Sequence, residues 1–184
     1  TIVEVDLEDI EYTRLSPSSV YYWKDKENDS RATQLMISSV PSILYNGATV
    51  AGGTNAQTLF ERVEGKYGTA LFVDSNNDGN IDMISVKAYD TYIVDRRNTV
   101  EYRILDKLGT YTYDPQTDTS TRVNRYVTID EESANVSVTY ADTAGNALSF
   151  ADLEQNDVLS VAMSDESTGN HVSVEVLVSR SQMS

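Results

Sequence analysis

Val73-Asp74-Ser75-Asn76-Asn77-Asp78-Gly79-Asn80-Ile81-Asp82 reads D-x-N-x-D-G-x-x-D, flanked by apolar runs at 69–73 and 81–86. Short apolar runs on either side of an Asn/Asp/Gly cluster predict two strands joined by a loop rather than two helices. The loop carries the oxygen pattern that a hard cation requires. Ca2+ takes six to eight oxygen ligands, and acidic or amide side chains at alternating positions of a sharply curved loop supply them. Asp74, Asn76 and Asp78 are expected to point inward, the Asn80 carbonyl to add a backbone oxygen, and Asp82 to close the shell directly or through water. Gly79 stands where such loops turn most sharply, at a position suited to positive φ. The opening matches an EF-hand loop, but the twelfth position is Ser85 instead of a bidentate Glu. The expectation is a strand-loop-strand calcium site. The alternative is a polar hairpin turn without an ion, because these residues favour turns on their own account. Three carboxylates within nine residues repel one another in an empty loop, which argues for the cation.

The composition fits a protein working among cations. The chain has 184 residues, 40% of them hydrophobic, enough for a core, and 14 basic against 29 acidic residues give a net charge of −15. That balance disfavours nucleic acid, whose phosphates call for Lys/Arg patches, and it disfavours anionic membrane surfaces. No apolar run approaches the roughly 20 residues of a membrane-spanning helix, so no membrane insertion is expected. Cysteine is absent, which excludes disulfides and thiolate sites and leaves the compartment undecided. With no initiator Met at Thr1 and no signal or lipidation motif, the chain is expected to be a mature or excised part of a longer polypeptide.

Short strands dominate the rest of the pattern. Val3, Val5 and Leu7 alternate with Glu4, Asp6 and Glu8, a period-2 strand. Ser19 to Trp23 forms an aromatic strand, followed by a charged turn from Lys24 to Asp29 that offers a weaker second cation site. Strands at 33–40 and 43–45 are separated by Pro41, suggesting an edge or bulge. Asn46-Gly47 is a strong hairpin signal. Thr54 is placed to cap a short helix from Ala56 to Val63. Further strands are expected in two pieces over 83–94, with Asp90 and Thr91 between them, then at 100–105 after a turn at Arg96-Arg97-Asn98. Tyr111 to Tyr113 and Arg122 to Ile129 flank a long hairpin loop at 114–118. Val136 to Tyr140, Asp157 to Met163 and His171 to Val178 complete the set. The last two are joined by a turn at 166–170, and a capping box at Ser149 to Asp152 opens one helical turn. Turn signals every 8 to 12 residues predict a mostly β fold, a sandwich or barrel-like arrangement with one or two short helices. A boundary near 130–134 divides it into a β domain, 1–130, carrying the calcium-type loop, and a smaller C-terminal β unit, 131–184.

The run from Leu71 to Val86, followed by Tyr89-Asp90-Thr91-Tyr92-Ile93-Val94, resembles a segment of bacterial surface proteins. These are the large Firmicutes proteins carrying S-layer homology domains, in which "IDNDGDGKID" is followed by "V..YDTYVV". Tyr45-Asn46-Gly47 is similar to their "YNG" turn, and Asp152 to Val161 to their "DL..-DVLSV" element. The resemblance spans roughly 43–178, with gaps between its anchors, and its more specific parts are the acidic loop and the YDTY segment. It implies an extracellular, wall-associated β module within a long polypeptide, partnered by the other domains of that polypeptide. No S-layer homology motif occurs here, so this piece would not itself anchor to the wall, and a phage tail or other adhesive particle could use the same kind of module.

Little suggests catalysis. His171 is the only histidine, and it sits in a hairpin arm where a surface or half-buried strand residue is the simpler reading. A Ser-His-Asp site would have to use it. Paired carboxylates of the glycosidase type depend on three-dimensional spacing. The expectation is therefore no enzyme. Tyr21, Tyr22 and Trp23 form the one aromatic cluster suited to stacking on a sugar ring, but Tyr21 and Trp23 share a strand face opposite to Tyr22, so one side is expected in the core. A carbohydrate-binding or phage-type adhesion module, with a cell-wall or host glycan as partner, is the alternative function. Arg96 and Arg97 are taken as turn residues offsetting nearby acid. The leading expectation is a non-catalytic, calcium-stabilised structural or interaction module at the bacterial cell surface.

Overall fold

The fold comes from a computed structural model that describes residues 1–50, 52–164 and 171–180. The turn expected at 166–170 lies outside the described residues. The protein is mostly β, with twelve strands and one α-helix among the described residues. The strand network does not close on itself as a barrel would, in keeping with the sandwich-like class read from the sequence. By contact the chain forms two compact units, Thr1–Tyr89 with Met163–Val172, and Asp90–Ala162 with Ser173–Ser184. The division thus falls at Tyr89/Asp90 and at two later crossings, whereas the sequence pattern placed a boundary at 130/131.

In the first unit, β1 (Ile2–Asp6) pairs antiparallel with β5 (Tyr67–Val73), which pairs antiparallel with the first half of β6 (Asn80–Asn98). β2 (Ser19–Tyr22) pairs with β3 (Thr33–Tyr45), and β3 runs parallel to β6, Ile37 opposite Ile81 and Ile43 opposite Ile84. The register slips between Ile37 and Ser42, around Pro41. A bulge absorbs the missing proline donor, so the two strands expected on either side of Pro41 are one.

α1 (Ala56–Val63) buries Ala56, Leu59, Phe60 and Val63, the i, i+3, i+4, i+7 stripe of a helix lying on a core. Its cap is Asn55 rather than Thr54. The Asn55 side chain accepts from the Thr58 backbone N–H at 3.0 Å while Thr58 Oγ1 accepts from the Asn55 N–H at 3.2 Å, a reciprocal capping box one residue beyond the expected start. Phe60 stacks on Phe72 of β5, ring centroids 5.7 Å apart. Gly68 lets β5 and β6 approach: a Cβ there would lie 1.9 Å from the Lys87 carbonyl oxygen.

Asn46 and Gly47 turn the chain from β3 into β4 (Ala48–Thr49) at φ 48° and 88°, the paired positive values of a tight hairpin. Asn46 does more than turn. It is buried, its Oδ1 accepts from the Ala88 N–H at 2.8 Å, and its Nδ2 donates to the Met163 carbonyl at 2.9 Å. Asn46→Ala is therefore expected to cost about 2 kcal/mol, since it leaves a buried donor and acceptor unmet. Urea denaturation of the variant checks this, and a loss under about 0.5 kcal/mol would contradict it.

In the second unit, the latter half of β6 pairs with β7 (Arg103–Asp114) and with β11 (Val158–Met163). β7 forms a long hairpin with β8 (Thr119–Thr128). β12 (Val172–Ser179) lies between β11 and β9 (Val136–Asp142), and β10 (Ala147–Leu148) pairs with β9. Ile104, Leu153, Leu159 and Val176 are among its buried side chains. Two expectations change here. The stretch 83–94 is part of one nineteen-residue strand, which continues through Arg96-Arg97-Asn98 past a register shift after Val94. The turn comes later because the Asn98 Oδ1 accepts from the Val100 and Glu101 N–H groups, and Tyr102 adopts φ 48°. A side-chain-closed Asx turn thus occupies the start of the expected strand at 100–105.

Buried acids here are matched. Asp106 accepts from the Ile93 N–H and meets Arg125 at 3.4 Å, and Asp157 meets Arg180 at 3.0 Å.

Candidate metal-binding loop

The loop 74–79 joins β5 to β6 at the end of the strands that hold it. Val73 stands opposite both Ile2 of β1 and Met83 of β6. The Asp74 N–H donates to the Thr1 carbonyl at 2.9 Å, and the Thr1 nitrogen donates to the Asp74 carbonyl at 2.7 Å. Asn77 and Gly79 take φ of 58° and 90°, so the chain curls tightly where the sequence placed its sharpest turn.

Inside the curl, polar side chains are tied to the loop's own N–H groups. Asp74 Oδ2 accepts from the Gly79 N–H at 3.1 Å, Asn76 Oδ1 from the Asp78 N–H at 3.0 Å, and Asp78 Oδ1 from the Asn80 N–H at 2.8 Å. The Asn76 and Asn80 amides each donate to Asp78, at 3.2 and 3.1 Å. Asn76 Oδ1, Asp74 Oδ2 and Asp78 Oδ2 each accept one such bond and keep a lone pair for a second partner, while Asp78 Oδ1 accepts two. Asn76, Asp78 and Asn80 are thus brought side by side.

Asp74 departs from that pattern. It is only 6% exposed, and its Oδ1 is buried with no hydrogen-bond partner. A buried anionic oxygen left unpaired is costly, and the Thr1 nitrogen, which donates to the Asp74 carbonyl and to Asn77 Oδ1, makes no bond to it. That orphan oxygen fits a cation.

Asp82 is held by two serines. Its Oδ2 accepts from the Ser75 N–H at 3.0 Å and Ser75 Oγ at 2.7 Å, and its Oδ1 accepts from Ser38 Oγ at 3.1 Å. Among the described residues no three His, Cys, Asp or Glu side chains gather for a metal. Asp74, Asn76, Asp78 and Asn80 are tied to one another within the loop, and Asp82 is tied to it through Ser75. Neither serine was marked by the motif. Ser75 lies within it at a position with no assigned ligand role, and Ser38 arrives from β3 by strand pairing distant in sequence.

The bonds from Ser75, foremost its hydroxyl and then its N–H, hold the Asp82 carboxyl below the ordinary aspartate value of 3.8. A depressed folded-state value means that the charged form supports the loop at neutral pH. That support is lost as pH falls through the depressed value. An NMR titration should place the Asp82 midpoint below 3.8, with the Ser75 amide shifting in step. A midpoint at or above that value would contradict the arrangement.

The other singled-out residues scatter. Tyr22 is buried in the core of the first unit, while Tyr21 lies under the Arg14 guanidinium, 3.8 Å from ring centroid to carbon, and Trp23 Nε1 donates to Glu11 at 2.9 Å. The parity expected of the aromatic strand holds. The charged turn at 24–29 is closed by its own bonds: Asp25 Oδ1 accepts from the Glu27 and Asn28 N–H groups, and Asp29 Oδ2 from the Asp25 N–H. Arg97 donates to the Phe150 and Ala151 carbonyls, a bracing role in a strand instead of the expected turn role. His171 is exposed. Among the described residues no helix is long and apolar enough to cross a membrane. No protein-family model, curated protein or solved structure matches the chain.

Proposed function

We propose that this chain is a non-catalytic, calcium-stabilised β module of a bacterial cell-surface protein, serving as a structural or interaction unit beside other domains of the same polypeptide. The observation that carries the reading is the buried, unpartnered Oδ1 of Asp74 at the mouth of an acidic, positive-φ loop. Asp74, Asn76, Asp78 and the Asn80 carbonyl would hold the ion, and Asp82 would brace them or contribute through water. Bound calcium would neutralise the loop carboxylates. The residues themselves do the rest: Gly79 permits the curl, Ser75 and Ser38 fix Asp82, and Thr1 bonds to the backbone of Asp74. The resemblance to proteins with S-layer homology domains and the net charge of −15 support an extracellular setting. Extracellular calcium modules bind at roughly 10⁻⁴ to 10⁻³ M, so such a site fills outside a cell and empties in cytosol.

Limited proteolysis tests this. Cleavage within 70–90 should be slow in millimolar calcium and accelerate in EDTA, and equal rates would count against the proposal.

A further inference from the structure

We propose that the first unit carries a second binding site, a cationic cleft at the β2–β3 turn that takes a small dianion, either a phosphate monoester or a dicarboxylate. The cleft is open to solvent, has a volume of about 670 Å³ and is lined by Arg14, Tyr21, Lys24 and Arg31 among others, a size in the usual range for small-molecule sites. Its charge runs against the molecule. In a chain of net charge −15, three of the fourteen basic residues face one cleft, and among the described residues none of the three forms a salt bridge.

The one carboxylate in the lining, Asp29, already accepts from the Asp25 N–H at 3.1 Å. Three cations against one committed carboxylate leave an excess that suits a ligand with two negative charges. A phosphate monoester carries about −1.5 to −2 at neutral pH.

The site is also partly set in advance. Arg14 rests on the Tyr21 ring at 3.8 Å, which fixes its guanidinium plane without using its N–H donors, and a guanidinium fork matches a planar or tetrahedral oxyanion. Tyr21 is itself held by pairing with Gln34 across the β2–β3 hairpin. Asp25 closes the turn between Lys24 and Arg31 through bonds to Glu27, Asn28 and Asp29, so both cations spring from an ordered base. Thr33 and Gln34 add neutral hydrogen-bonding groups to the wall.

The site is independent of the calcium reading, and calcium and EDTA arms keep the two separable. Calorimetric titration uses inorganic phosphate, glycerol 3-phosphate and succinate, with acetate as the monoanion control. At least one dianion is expected to bind at about 1 mM or tighter, to weaken with added salt, and to exceed acetate at least tenfold. The double variant Lys24→Ala/Arg31→Ala changes two exposed side chains and should fold as the parent does by circular dichroism, yet lose at least tenfold in affinity. Saturation by the phosphates alone, or by succinate alone, assigns the ligand source. Absence of saturation by about 10 mM for every dianion, or equal binding by the double variant, overturns the proposal.

Discussion

Phe72→Ala is expected to destabilise the first unit by about 3–5 kcal/mol, the usual cost of emptying a buried phenylalanine site. Phe72 is fully buried on β5, and its ring stacks on Phe60 of α1 at 5.7 Å with 20° between planes. The helix docks by the side chains Leu59, Phe60 and Val63, so the cavity would open at the contact between helix and sheet. The lost ring contacts and the residual cavity therefore add. Urea denaturation followed by tryptophan fluorescence, with Trp23 as the single reporter in this unit, should show a lower midpoint at unchanged slope. Tyr67→Ala, at a position 70% exposed on the same strand, should lie within about 0.5 kcal/mol of the parent. A Phe72→Ala loss below about 1 kcal/mol would show that the helix does not depend on this contact.

The second large effect is the response to calcium. A ligand that binds only the folded chain at one hundred times its Kd stabilises it by about 2.7 kcal/mol. For a chain of this size each kcal/mol moves Tm by about 2–4 °C, so saturating calcium should raise Tm by about 5–10 °C over EDTA. Asp74→Asn separates the ion from the fold. The amide oxygen can still accept from the Gly79 N–H, as Asp74 Oδ2 does at 3.1 Å, while the buried charge is gone. In EDTA the variant should melt close to the parent or slightly above it, because an uncompensated buried carboxylate has been removed. In calcium it should lose most of the increment. An equal calcium response in both proteins would place the ion elsewhere.

The parts of this structure legible in the sequence are those that local chemistry decides. The Asn46-Gly47 turn needs two residues tolerant of positive φ, and the spacing of Ala56, Leu59, Phe60 and Val63 admits only a helix with one buried face. The curl at Asn77 and Gly79 belongs to the same class. What was not legible depends on partners remote in the chain. β3 runs parallel to β6, which carries Ser38 to Asp82 across 44 residues, and no window around either residue contains that information. The motif marks Asp82 as closing the shell directly or through water, and it gives no sign of the serine hydroxyls that also hold this carboxylate. The strand through Arg96 and Arg97 was hidden for a related reason. A doublet of arginines reads as solvent-facing turn, yet Arg97 is satisfied by carbonyls at 150 and 151 that only the tertiary fold supplies. The cleft at Arg14, Lys24 and Arg31 is likewise invisible, since Arg14 precedes β2 and meets Lys24 and Arg31 of the β2–β3 connection only in the fold.

A cation at the buried oxygen of Asp74 would complete the loop. Calorimetric titration of the calcium-stripped chain with CaCl2, run in parallel on Asp74→Asn, tests it most directly. One saturable site is expected in the parent at roughly 10⁻⁴ to 10⁻³ M and none in the variant. No saturable heat in the parent, or the same isotherm from both proteins, would contradict it.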